Sequence, residues 1–300
     1  MIDLLNPLIS TPAVRDAALG TTLLGLTAGA VGCFAVLRRQ SLQGDVVSHA
    51  ALPGIGIAFL LGARSPVGLI LGGAVAGWLA LVLVSVVSNR SRVPIDASLG
   101  GCLAVFFGFG LALMRYVQVH VPDAARHPLD RYLFGQAAFL RDADLWAIGT
   151  LGFLTLLILY LKWNDLKLLV FDSDFAASLG ISVRRLDLLL TTLTVVAVII
   201  GLKAVGVVLM TALLVAPAVA ARQWTNRLGI MVILGGTFGA LAGLSGTLLS
   251  HHLGSRTAVP TGPSIVLIAT GLVCISLVIG SARGLLWTRQ ITLPLRLGER

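Results

Sequence analysis

The sequence predicts an all-α fold, a polytopic bundle of transmembrane helices with eight or nine membrane spans, and three observations carry that expectation. Apolar residues make up 57% of the chain and charged residues only 12%, about half the charged share of an ordinary soluble domain. The mean hydropathy is +0.96. The charges are bunched between apolar stretches, and a stretch of ~20 residues is enough to cross a hydrocarbon core.

The expected spans are residues 17–37, 42–62, 67–87, 96–117, 142–162, 186–202, 204–222, 228–250 and 263–283. The stretch 186–222 is nearly continuous, broken only by Gly201, Lys203 and Gly206. It reads as two spans or as one span plus a broken helix, hence eight or nine. Residues 1–16 form an N-terminal segment, 17–285 a single membrane domain, and 286–300 a tail. Asp3 and Asp16 with no early basic cluster argue against a cleavable signal peptide.

Orientation follows from Lys and Arg in the short connections. With the Arg38/Arg39 turn in the cytoplasm, fourteen of the twenty-two cations lie inside. Loop 163–185 is then cytoplasmic, while the histidine-bearing loops 118–141 and 251–262 are outside. Lys203, at the glycine-rich break, is expected to snorkel to an interface. Gly25/Gly29, Gly68/Gly72, Gly73/Gly77 and Gly235/Gly239/Gly243 have the spacing that lets helix backbones approach closely.

Several function classes are excluded. The net charge of +9 comes from cations flanking the apolar spans, which are topology signals and not a nucleic-acid stripe. Cys33, Cys102 and Cys274 each sit alone in an apolar span with no CxxC, so they read as small packing residues. Glu299 is the one glutamate beside twelve aspartates, which leaves no glutamate-rich cage. The chain has no P-loop, HExxH, GxSxG or GxGxxG opening a βαβ unit. Nothing supports an enzyme.

An ionisable group inside a span is costly and marks a functional site by default. Asp45 and His49, in SLQGDVVSHAALPGIGIAFLL, are the carboxylate and histidine lying well inside one expected span. Their i, i+4 spacing puts both on one helix face, and oxygen plus imidazole nitrogen make half a site for a divalent transition metal. Pro53 has no N–H, so it frees the carbonyl of His49, while Gly44, Gly54 and Gly56 keep a pore-lining helix thin. The alternative makes Asp45 an N-cap and His49 its bonding partner. In the expected topology Asp45 lies nearer the cytoplasmic end, so a central site and an inner gate both stay open. His120, His127, His251 and His252 sit in or beside outer loops and are weaker candidates.

In the cytoplasmic loop, Asp172 or Asp174 can cap a short amphipathic helix that Gly180 terminates. Phe171, Ala176 and Leu179 can then face inward or fill a partner's groove. A plain interfacial connector fits the same residues.

Three motifs carry a resemblance: SLQGDVVSHAALPGIGIAFLLG at 41–62, FDSDFAASLGISVRRLDLLL at 171–190, and VGVVLMTALLVAPAVAAR at 205–222 followed by PTGPSIVLIAT at 260–270. In these the sequence resembles the ABC-3 type permeases of bacterial manganese, zinc and iron importers. The resemblance implies a permease subunit in the bacterial inner membrane with no permanently bound cofactor, moving Mn2+ or Zn2+, with Fe2+ a third candidate. It implies a second permease chain, identical or related, separate cytoplasmic ATPase subunits and an extracytoplasmic metal-binding protein. Asp45 and His49 match the family's metal-path pair, with Pro53 and Gly54 at the helix break beside it. Asp172, Asp174, Ala176 and Gly180 match its coupling segment, 163–185. A siderophore or vitamin B12 permease is the nearest alternative, but it leads one to expect ten spans and a wide cavity. A stand-alone secondary carrier would leave a coupling segment without purpose.

Overall fold

The computed structural model describes residues 11–121, 140–202, 204–254 and 259–286. Those residues form helices α1 (Pro12–Leu37), α2 (Gln43–Leu60), α3 (Pro66–Arg90), α4 (Ile95–His120) and α5 (Asp142–Leu161). Two short helices follow, α6 (Trp163–Phe171) and α7 (Ser173–Ser178), and then α8 (Val183–Leu202), α9 (Val207–Trp224), α10 (Leu228–Gly254) and α11 (Thr261–Ile279). No strand occurs among them.

Seven of these helices are long and apolar enough to cross a membrane, namely α1, α3, α4, α5, α8, α10 and α11. Against the expected eight or nine spans, seven helices therefore qualify by length and composition. The two remaining helices occupy the expected spans 42–62 and 204–222. α2 opens with Gln43, Asp45 and His49, and the apolar part of α9, Leu209–Trp224, is short. The stretch 186–222 divides into two helices at Gly206, whose φ of 93° and ψ of 164° suit glycine alone. Lys203 lies outside the described residues. α1 begins at Pro12, inside the segment expected to precede the first span.

Small residues decide how the bundle closes. α1 and α10 run antiparallel, with Gly25 against Gly239, Gly29 against Gly235, and the Thr21 backbone against Gly243. Each step of four residues along one helix is a step of four back along the other, so the two glycine series mesh. Polar groups seal the same seam. Thr21 Oγ1 lies 2.9 Å from Thr247 Oγ1, and Cys33 Sγ donates to the Met231 carbonyl at 3.3 Å. In lipid, where apolar burial drives nothing, such contacts hold helices together. Cys33 and Cys102 are buried as expected, whereas Cys274 is exposed on α11.

α2 is wedged between α3 and α4. Gly54 meets Gly72, Gly73 meets Ala51, and Gly77 meets Val47 on the α3 side. Gly110 of α4 closes on Leu52 and Pro53. On the far side, Gly44 of α2 and Gly32 of α1 both touch Leu214 of α9.

Candidate functional site

Asp45 lies in the first turn of α2, behind an N-cap, Leu42, that makes no side-chain hydrogen bond. Its position inside the helix removes the capping role considered for it. Neither an ion pair nor a hydrogen bond joins it to His49. Both side chains are half-buried on the same face of α2, while the residues between them, Val46, Val47 and Ser48, are buried. The imidazole of His49 meets the ring of Phe107 on α4 edge to face, with centroids 4.6 Å apart. Its Nδ1 is buried and has no hydrogen-bond partner. A buried polar atom left unpaired calls for an explanation, and a ligand between the two side chains supplies one.

The depth of the pair follows from its neighbours. Val47, midway between Asp45 and His49, packs on Gly77. Gly77 is thirteen residues from Arg90, the last residue of α3, or about 20 Å along its axis. Val47 is therefore level with the middle of α3, and α2 starts about one turn nearer the Arg90 end, still inside the bundle. The sequence position of Asp45, just after the Arg38/Arg39 turn, hides this recess.

Pro53 is within α2 and denies the His49 carbonyl its helical donor. Gly54 has no space for a side chain, because a Cβ there would strike the Gly72 carbonyl and sit 2.6 Å from the Ala76 Cβ. Pro53 and Gly54 thus hold α2 tightly between α3 and α4 and do not open it. No group of three or more His, Cys, Asp or Glu side chains converges among the described residues. Asp45 and His49 are therefore two candidate donors with no third such side chain gathered beside them among the described residues. Phe107 is the residue of this site that sequence reading missed, since nothing local links α4 to His49.

Among the described residues, the other histidines join no group of three or more His, Cys, Asp or Glu side chains. His120 ends α4 and stacks on Tyr116 at 4.4 Å. His251 and His252 are exposed near the end of α10, their rings 6.1 Å apart. His127 lies outside the described residues.

The loop 163–185 contains two helices where one was expected. Asp172 caps α7, its Oδ1 accepting from the Phe175 amide at 2.8 Å. Gly180, with φ of 78°, turns the chain after it. Asp174 is exposed in the first turn of α7. Ala176 is fully buried, while Phe171, Phe175 and Leu179 are 57%, 52% and 56% exposed. Of the three residues expected to face inward or outward, only Ala176 faces inward. Phe175 joins the outward ridge unannounced. The preceding α6 was not expected; its Leu166 and Leu169 are buried with Leu186 and Leu190 of α8.

Residues 10–280 match the ABC 3 transport family. The zinc transport system membrane protein TroC of Treponema pallidum is 45% identical over 287 residues, covering 94% of this chain and 95% of that one. The manganese transport system membrane protein MntC of Bacillus subtilis is 42% identical over 275 residues, which are 91% of this chain and 62% of that longer protein. Among solved structures, PsaBC from Streptococcus pneumoniae in complex with Fab superposes with a TM-score of 0.81 at 30% identity, covering 96% of this chain and all of that one.

Proposed function

This chain belongs to the ABC 3 transport family, and on that premise we propose that it is the membrane permease of an ATP-driven importer for a divalent transition metal ion. It is a multi-pass protein of the bacterial inner membrane. Relatives named for zinc and for manganese transport cover nearly all of it, so Zn2+ and Mn2+ are the favoured cargoes, with Fe2+ a third candidate. One observation carries the reading: Asp45 and His49 share a face deep in the bundle, and the buried Nδ1 of His49 has no partner. Carboxylate and neutral imidazole suit these ions, and the carboxylate charge offsets part of the cost of bringing a dication into a dry bundle.

The half-site is completed by a second permease chain, identical or related. Gly100, Ala104, Gly108 and Ala112 form a small-residue stripe on the open face of α4. A Cβ built on Gly100 or Gly108 meets nothing, and Phe107, next to the stripe, touches His49. Two chains meeting there across a twofold axis would bring two aspartates and two histidines together. Such a weak, shared site holds the ion briefly and then releases it. α2 and α9 cross with the seven longer helices, making nine spans within the domain 17–285. The packing of α2 along α3, and of α9 against α1 and α2, supports this.

ATP hydrolysis belongs to separate cytoplasmic subunits, and an extracytoplasmic protein delivers the ion. Asp172, Asp174, Ala176 and Gly180 shape the coupling segment: Asp172 and Gly180 bound α7, Ala176 seats it, and Phe171, Phe175 and Leu179 are left to enter an ATPase groove. Replacing Phe175 with aspartate should leave the permease folded, because the ring is exposed. It should cost about 2 kcal/mol or more of ATPase binding, as buried aromatic anchors do. Co-purification of the ATPase subunits measures this, and unchanged recovery would remove Phe175 from the docking surface.

The function itself is tested by reconstituting the whole transporter in vesicles with its delivery protein. ATP-dependent accumulation of Mn2+ or Zn2+ supports it. Accumulation without ATP, driven by an ion gradient, would support the secondary-carrier reading instead.

A further inference from the structure

Below the start of α2 lies a cavity of about 490 Å3, bounded by α3, α8 and the turn joining α1 to α2. Its lining includes Gln40, Gln43, Ser85 and Asn89, together with an ion pair between Arg38 and Asp187. Arg38 Nη1 is 2.6 Å from Asp187 Oδ1, and the two side chains are only 17% and 23% exposed. Ser85 Oγ of α3 donates to the other oxygen of Asp187 at 3.5 Å. On the far side of the turn, Gln43 Nε2 donates to Gln40 Oε1 at 2.6 Å, and both glutamines are buried.

These contacts form an unbroken line between two regions already described. The coupling segment is joined to α8 by the apolar cluster of Leu166 and Leu169 with Leu186 and Leu190. Asp187 follows Leu186 directly. Arg38 opens the turn of residues 38–42, and Gln43 begins the helix that carries Asp45 and His49. Gln43 and Val47 occupy the side of α2 away from the Asp45/His49 face, given a turn of 3.6 residues. The pair therefore lies outside the ion path and can act on it only through the position of α2.

We propose that Arg38 and Asp187 are positioning residues that transmit movement of the coupling segment to the helix bearing Asp45 and His49. A half-buried ion pair is suited to the task because it has two discrete arrangements, bonded or parted, and parting leaves each charge poorly solvated. The adjoining cavity gives the side chains room to part without disturbing the packed core. The inference rests on the importer reading above.

The test uses the complete transporter in vesicles, with metal uptake and ATP hydrolysis measured on the same sample. Asp187→Asn and Arg38→Gln should each lower the number of ions moved per ATP about tenfold while hydrolysis continues. The exchange variant carrying Arg38→Asp with Asp187→Arg should recover the ratio to within about threefold of the parent. Co-purification of the ATPase subunits reports folding, and the exchange variant decides the matter if a single variant fails to assemble. Single variants with the parent ratio, or an exchange variant no better than the singles, overturn the proposal alone. A parent complex that moves neither Mn2+ nor Zn2+ with ATP overturns the importer reading and this link with it.

Discussion

Replacing Asp45 or His49 with alanine abolishes metal uptake, by about 100-fold or more, in cells that carry the whole transporter at matched expression. The magnitude follows from the small size of the site. On the proposed reading one chain offers two donors, and no larger cluster exists among the described residues. In a twofold pair, each substitution removes two donors of four. Losing Asp45 also removes the negative charge that compensates the dication, and losing His49 removes the neutral nitrogen that a transition metal prefers. Neither change should unfold the protein, since both side chains are half-buried and make no hydrogen bond to each other. Docking of the ATPase and of the delivery protein should be retained. If both variants accumulate metal normally, the pair is not on the ion path, and the permease reading rests on the family match and the coupling segment alone.

Gly25→Leu, and separately Gly239→Leu, should sharply lower the amount of folded permease recovered in mild detergent. At each position an added Cβ would lie against the backbone carbonyl of the other, closer than real side chains approach. The obstacle is main chain and cannot rotate aside. Relief requires α1 and α10 to separate, which opens the Thr21–Thr247 hydrogen bond and the seat of Cys33 on Met231. Forcing extra carbon into a packed core costs about 1–3 kcal/mol in a soluble protein. The cost should reach the upper end of that range here, because α1, much of it buried, is displaced along its length. Gly271→Leu is the control, since nothing lies within 4 Å of a Cβ there. Normal recovery of the Gly25 variant would show that the two helices can repack at a wider spacing.

Much of the fold was legible in the chain. The seven candidate spans follow from apolar runs bounded by charge, because a backbone in hydrocarbon must satisfy its hydrogen bonds within each segment. The divided stretch 186–222 shows where that signal weakens. Gly201 and Gly206 lie in apolar surroundings, and only the backbone at Gly206, held at φ of 93°, reveals where one helix ends and the next begins. α6 was missed for a related reason. Its sequence, WNDLKLLVF, is too short for periodicity to separate a helix from a connector, and burial of Leu166 and Leu169 against α8 settles the matter.

The site divides along the same line. The sequence by itself determined that an aspartate and a histidine share one face of an apolar helix, because i, i+4 spacing is a property of the helix alone. It also pointed to a helix capped by Asp172 or Asp174 and ended at Gly180, signals that depend on neighbours three or four residues away, and the structure selects Asp172. Only the tertiary structure decided how deep the pair sits, that Phe107 covers His49, which apolar residues of the coupling segment face outward, and that Arg38 meets Asp187. Those are contacts between helices far apart in the chain. They are set by which small residues allow two backbones to approach, and no local pattern records the partner that a given glycine will meet.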